Sequence, residues 1–162
     1  MTSPVVTLDE LAALLPAKAR LMGIDLGSKT IGLAVSDIER RIATPLETIR
    51  REKFTKDAAR MIELAKARDI AAFVIGLPLN MDGGEGPRVQ STRSFVANCA
   101  KLTDIPFAFQ DERLSTAAVT RSLIEQDASR ARRAEVVDRM AAAYILQGAL
   151  DRLAKITPRT EA

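Results

Sequence analysis

Three acids stand where their neighbours call for a buried core. Asp25 interrupts LMGIDLG (21–27), an apolar run that otherwise reads as a buried strand. An unpaired carboxylate in such a place is expensive, so it calls for a cation, a hydrogen-bond partner or an opening to solvent. Amides of a turn around Gly27 and Ser28 would satisfy it, and so would a metal ion. Asp138 shares a helical stripe with Ala142, Ile145 and Ala149, whereas Arg133, Gln147 and Asp151 fall on nearly the opposite side. It is therefore expected to face the body of the protein, in a buried salt bridge, near a helix start that favours an acid, or at a metal. Glu112 follows the strand-like FAFQD (107–111), and because side chains alternate, only one of Asp111 and Glu112 can point at a given site. Alone, Glu112 is an ordinary acid after a strand end.

As a set, the three mean more. Carboxylates from a strand centre, a strand end and an inward helix face can converge in a mixed α/β sheet and hold one or two Mg²⁺ or Mn²⁺ ions, which prefer hard oxygen ligands. Phosphodiester cleavage needs an activated water and neutralisation of the leaving oxygen, and two such ions can supply both. The chain has no His and one cysteine, Cys99, so an intrachain disulfide, a Cys/His zinc site and a histidine general base are all excluded. Catalysis must come from carboxylates, Lys, Ser/Thr, Tyr or a cofactor. Cys99 lies on an amphipathic stretch and reads as a core thiol.

The elements that must carry these residues follow from pattern. Thr7 and Glu10 form a capping box before Leu8, Leu11, Leu14 and Leu15, predicting a short helix over 7–15. Strands are expected at 21–26 and 31–36, joined at GSKT (27–30) as a hairpin, and at 42–50, where Pro45 argues for a sheet edge. A helix over 53–68 follows from Ala58, Met61, Ile62 and Ala65. The apolar run at 72–77 reads as a strand buried on both faces, and 105–111 as another strand. Further helices are expected at 88–102, 116–126 and 134–154. The order βββαβαβαα calls for a mixed sheet with helices on both faces, since parallel strands need helical crossovers.

At 162 residues, 47% hydrophobic and 28% charged, the chain suits one soluble domain and no bilayer. The first 20 residues have no basic segment before their apolar stretch and carry Asp9 and Glu10 inside it, which is wrong for a secretory signal, so a cytoplasmic protein is expected. A net charge of +3 and the cluster Arg130, Arg132, Arg133 lean weakly toward an anionic partner. With 4% aromatics and no Trp, a base-stacking platform is poorly supported, so recognition should rest on backbone shape and charge. GSKT (27–30) is a poor phosphate loop, because its Gly-Lys-Ser order is broken and a strand follows. DLGS (25–28) also looks like the first phosphate motif of the actin and Hsp70 ATPases, but their second domain has no room here.

Four blocks in order, GIDLGSKTIGLAVSD (23–37), VIGLPLNMDGGEGPR (74–88), FQDERLSTAAV (109–119) and VVDRMAAAYILQ (136–147), resemble the signature segments of the YqgF (RuvX-like) family, relatives of Holliday junction resolvases that include pre-16S rRNA nucleases. The resemblance covers about residues 20–153. It implies an α/β ribonuclease H-like fold, a five-stranded mixed sheet of order 3-2-1-4-5 flanked by helices, and a Mg²⁺ or Mn²⁺ nuclease site. It assigns catalytic and metal-binding roles to Asp25, Glu112 and Asp138. Residues 1–19 then form an accessory helix, 20–154 the nuclease domain and 155–162 a tail.

In that order the strand before Glu112 is not next to that of Asp25, so the loop acids Asp82 and Glu85 remain alternatives for completing the site. Lys29, Arg88, Arg113, Arg132 and Arg133 are the candidates for holding substrate phosphates. The expected activity is phosphodiester hydrolysis in 5′-end processing of pre-16S rRNA. A resolvase acting on branched DNA and a non-catalytic nucleic-acid adaptor are the alternatives. Partners are structured RNA or branched DNA, with no membrane, and the chain is expected to be a monomer or weak homodimer.

Overall fold

The computed structural model describes the backbone of residues 5–114 and 130–156, and the side chains of 5–113 and 140–156. Within these, the elements are β1 (Val5–Val6), α1 (Leu8–Leu14), β2 (Arg20–Leu26), β3 (Thr30–Ser36), β4 (Ala43–Arg50), α2 (Phe54–Ala67), β5 (Ile70–Leu77), α3 (Pro87–Cys99), β6 (Phe107–Asp111) and α4 (Arg130–Ile156). A 3-10 turn, Glu112–Leu114, follows β6. The helix expected over 116–126 lies outside the described residues, while α4 begins four residues earlier than its apolar pattern suggested.

The strands form one sheet in the order β1-β6-β5-β2-β3-β4. Five of them stand in the expected 3-2-1-4-5 arrangement. The sheet nevertheless has six strands rather than five, because Val5 and Val6 pair in parallel with Phe107 and Ala108. A strand of two residues is too short for alternation to announce it. The hairpin of β2 and β3 is antiparallel, and β2 and β5 run parallel, which puts β2 in the middle. Pro45 sits on the edge strand β4 opposite Ala34, next to a register shift, where the missing amide hydrogen costs least. Between β1 and β2, α1 has its capping box: Glu10 N–H donates to Thr7 Oγ1 at 3.1 Å and Thr7 N–H to Glu10 Oε1 at 3.0 Å.

Alternation divides the core between the two faces. Met22, Ile24 and Leu26 of β2 join Phe73, Ile75 and Phe107 against α2 and α3, with Cys99 buried among them. Burial pushes the Cys99 thiol up to about 12, as suits a core thiol rather than a nucleophile. Leu21, Val74 and Ala108 pack on the opposite face against α1 and α4, whose Ala142, Ile145, Leu146 and Ala149 are all buried. The apolar stripe expected on the last helix is thus the one that meets the sheet. Gln147 fastens its flank, donating to the Arg41 carbonyl and accepting from the Ala43 amide, both at 2.9 Å. No described helix is long and apolar enough to cross a membrane.

Gly23 sets how closely α4 approaches. A Cβ there would lie 2.7 Å from Leu146 Cβ and 2.8 Å from the Ala142 carbonyl oxygen, and a helix backbone cannot give way as a side-chain tip can. Gly23→Ala is expected to destabilise the fold by about 2–3 kcal/mol, the upper part of the usual overpacking range. For a chain of this size that lowers the melting temperature by roughly 5–10 °C. A melting curve within 1 °C or so of wild type would show that α4 is not held at this contact.

Candidate active site

The position of Asp25 follows from that of Gly23. Two residues further along β2, it shares Gly23's face and points to the α4 side of the sheet. It is buried to 9% exposure, with Gly32 of β3 opposite. The hairpin turn after it closes through the Gly27 amide, which donates to the Thr30 carbonyl at 2.9 Å.

Asp25 forms part of the wall of a cleft of about 830 Å³. Around it are the hydroxyls of Ser28, Thr30 and Thr48 and the cations Lys29, Arg50 and Arg88. A cleft lined by an acid, hydroxyls and three cations, with no aromatic ring among these lining residues, suits a sugar–phosphate backbone better than a stacked base. Lys29 and Arg88 were expected from the sequence. Arg50 and Thr48 were not; both lie on the edge strand β4, and only its pairing with β3 (Thr30 opposite Arg50, Gly32 opposite Thr48) carries them to the cleft.

Glu112 reaches the same side of the sheet by a different route. Phe107 and Phe109 pack on the α2 and α3 face and Asp111 follows them in parity, whereas Ala108 lies on the α4 face. Asp111 is accordingly committed elsewhere: Arg113 Nη2 donates to its Oδ2 at 2.7 Å, and that guanidinium, opposed by partial desolvation, holds the carboxyl below its ordinary range. Glu112, 9% exposed, folds back over β5, where its Cγ and Oε1 both lie 3.0 Å from where a Cβ on Gly76 would stand. Gly76 is one residue beyond Ile75, and Asp25 one beyond Ile24, the last registered pair of β2 and β5. Glu112 thus spans one of the two strand spacings, about 4.8 Å each, that separate it from Asp25's strand.

The loop acids have other employment. Asp82 accepts from the Gly84 amide at 2.8 Å within the turn where Gly83 takes φ +89°, and Glu85 pairs with Arg93 at 2.9 Å. Arg93 in turn lies over the Phe109 ring, 5.2 Å from its centre. Arg113, a candidate for holding a phosphate, reaches the Met81 carbonyl at 3.3 Å while paired to Asp111 and so ties this loop to β6. Asp138, Arg132 and Arg133 fall on α4, but their side chains lie outside the described residues.

Residues 19–152 match the family described as RuvX: Holliday junction resolvase. The chain belongs to that family. It is 69% identical over 154 residues to a protein of Beijerinckia indica called "Putative pre-16S rRNA nuclease", covering 95% of this chain and 93% of the relative. A protein of the same name from Methylocella silvestris is 65% identical over 156 residues, 96% of this chain and 97% of its own length. Relatives at this identity place the RuvX chain among phosphodiester-hydrolysing enzymes. Among solved structures, RuvC of T. thermophilus bound to a Holliday junction substrate superposes with TM-score 0.51 at 16% identity, covering 83% of this chain and 96% of that one. Thermus thermophilus RuvC in a second structure gives 0.52 at 16% identity, over 84% and 97%. At that identity the match establishes a ribonuclease H-like fold and nothing finer.

Proposed function

We propose that this chain is a divalent-metal nuclease that processes the 5′ end of pre-16S rRNA in the cytoplasm. The observation that carries the reading is that two buried carboxylates, Asp25 of β2 and Glu112 of the turn after β6, lie on one sheet face, and that Asp25 lines a cleft with Lys29, Arg50 and Arg88. Carboxylate oxygens are the donors that Mg²⁺ and Mn²⁺ prefer, so the residues present fit such an ion. Asp25, Glu112 and Asp138 would hold it, Asp138 from the stripe of α4 that continues toward Ala142. When bound, the metal supplies water activation and neutralises the leaving oxygen. Lys29, Arg50 and Arg88 hold the phosphates on either side of the scissile bond, and Ser28, Thr30 and Thr48 offer hydrogen bonds to sugar or phosphate oxygens. Arg113, Arg132 and Arg133 are further candidates for phosphate contacts, and Arg113 also fixes the loop.

The nuclease domain comprises residues 20–154, with 1–19 an accessory element and 155–162 a tail, and the chain acts as a monomer or weak homodimer. A second reading, cleavage of a DNA four-way junction, is favoured by the description of the family itself.

Single-turnover cleavage of a pre-16S rRNA 5′ fragment, a matched DNA and a four-way DNA junction, each with Mn²⁺ or with EDTA, tests these readings. Metal-dependent cleavage of the RNA alone is expected, with binding that weakens steeply as NaCl rises because bound cations displace condensed counterions. Junction cleavage without RNA cleavage would install the resolvase. Salt-sensitive RNA binding with no cleavage and no heat of Mn²⁺ binding would leave a non-catalytic adaptor.

A further inference from the structure

Glu112 reaches its place only because Gly76 has no side chain. A Cβ at Gly76 would stand 3.0 Å from Glu112 Cγ, 3.0 Å from its Oε1 and 2.7 Å from Ile145 Cδ1. Gly76 lies in the middle of the sheet, on β5 between β2 and β6, in a strand whose other residues from Ala72 to Leu77 are buried and apolar. Glycine weakens a strand interior and has no side chain to pack, so its presence at this point asks for a reason. Its backbone is not in the left-handed region, since the described glycine with positive φ is Gly83. Turn geometry is therefore not that reason. Space is, and two groups share it: the tip of Ile145 from α4 and the carboxylate of Glu112. Of these, the Ile145 methyl is the flexible end of an apolar chain that can turn aside. Glu112, at 9% exposure with its backbone held in a 3-10 turn, has less freedom to move and stay on the same face.

We infer that Gly76 is a positioning residue: its missing side chain is the gap through which the Glu112 carboxylate crosses β5 toward Asp25, and a Cβ there forces the acid out of its place in the site. The inference rests on the reading of Glu112 as a member of the metal site. It explains how an acid two strands away from Asp25 can serve beside it.

The test uses full-length Gly76→Ala/Ile145→Val, in which Val removes the Cδ1 that the new Cβ would strike and leaves only the encounter with Glu112. Ile145→Val alone, Glu112→Ala and the triple variant complete the cycle. Mn²⁺ affinity by calorimetry, the melting temperature, and kcat and KM for the cleaved substrate are measured for each. Ile145→Val should match wild type in Mn²⁺ affinity, kcat and KM, with a melting temperature a few degrees lower for the methyl lost from the core. Gly76→Ala/Ile145→Val should stay folded, lose roughly 10–100-fold in Mn²⁺ affinity and in kcat, the usual cost of misplacing a ligand's support, and keep its KM. On the Glu112→Ala background, where there is no carboxylate to displace, adding the two substitutions should change neither quantity further.

Wild-type Mn²⁺ affinity and kcat in Gly76→Ala/Ile145→Val, with Glu112→Ala impaired, would overturn the inference alone. So would an equal loss on the Glu112→Ala background. A Glu112→Ala variant with wild-type affinity and rate would instead overturn the assignment of Glu112, and with it any acid for Gly76 to position.

Discussion

Asp25→Asn is expected to abolish cleavage while leaving the protein folded. The amide keeps the shape and most of the hydrogen-bonding capacity of the carboxylate but removes the charge that would hold a metal. Each ligand in such a site supports water activation and transition-state charge worth several kcal/mol, so the single-turnover rate should fall roughly a thousandfold or more. Stability should move the other way, if at all. Asp25 is 9% exposed, so neutralising it lowers the desolvation cost of a buried charge. In metal-free buffer the melting temperature is expected to hold or rise, and the rise that Mn²⁺ gives wild type by mass action should shrink. If Asp25 serves only to brace the hairpin turn, the pattern inverts: stability drops by about 1 kcal/mol and activity per folded molecule persists. A destabilised, fully active Asp25→Asn protein would remove the catalytic assignment.

A comparable collapse is expected for Glu112→Gln, and its contrast with Glu85→Gln decides which acid accompanies Asp25. Glu112→Gln keeps the volume over Gly76 and loses one charged ligand, so the rate should again fall by about a thousandfold, with substrate binding nearly unchanged. Glu85→Gln breaks the pair with Arg93, whose partners are 43% and 42% exposed, and such pairs contribute only about 0–1 kcal/mol. Its cleavage should stay within about threefold of wild type, a change of well under 1 kcal/mol in barrier. Measuring both variants on the same substrate with saturating Mn²⁺ separates the cases. An inactive Glu85→Gln beside an active Glu112→Gln would move the site into the loop after β5.

Much of the arrangement is legible in local pattern. The capping box of Thr7 and Glu10, the hairpin at Gly27, the edge placement of the strand holding Pro45 and the buried stripe Ala142, Ile145, Ala149 each follow from interactions between residues near in sequence, whose periodicity registers directly. Asp25 stood out for the same reason, as a charge inside an apolar run. The two-residue β1 did not stand out, since its strand character comes wholly from Phe107 and Ala108 across the sheet.

The sequence by itself determined which residue types could do chemistry: without His and with a single Cys, hydrolysis had to rest on carboxylates, Lys, Ser/Thr, Tyr or a cofactor, and four ordered blocks tied the chain to one family. Tertiary structure alone decided which carboxylates share a face of the sheet. The parity of β6 sent Asp111 to Arg113 and Glu112 to the α4 face, the pairing of β4 with β3 brought Arg50 and Thr48 to the cleft, and the turn after β5 kept Asp82 for its own amide and Glu85 for Arg93. The physical reason is range. Alternation and helical period are set by neighbours a few residues apart, whereas the room above Gly76 exists only when α4, β5 and the residue after β6, about 35 to 70 positions apart in the chain, are packed within contact distance of one another.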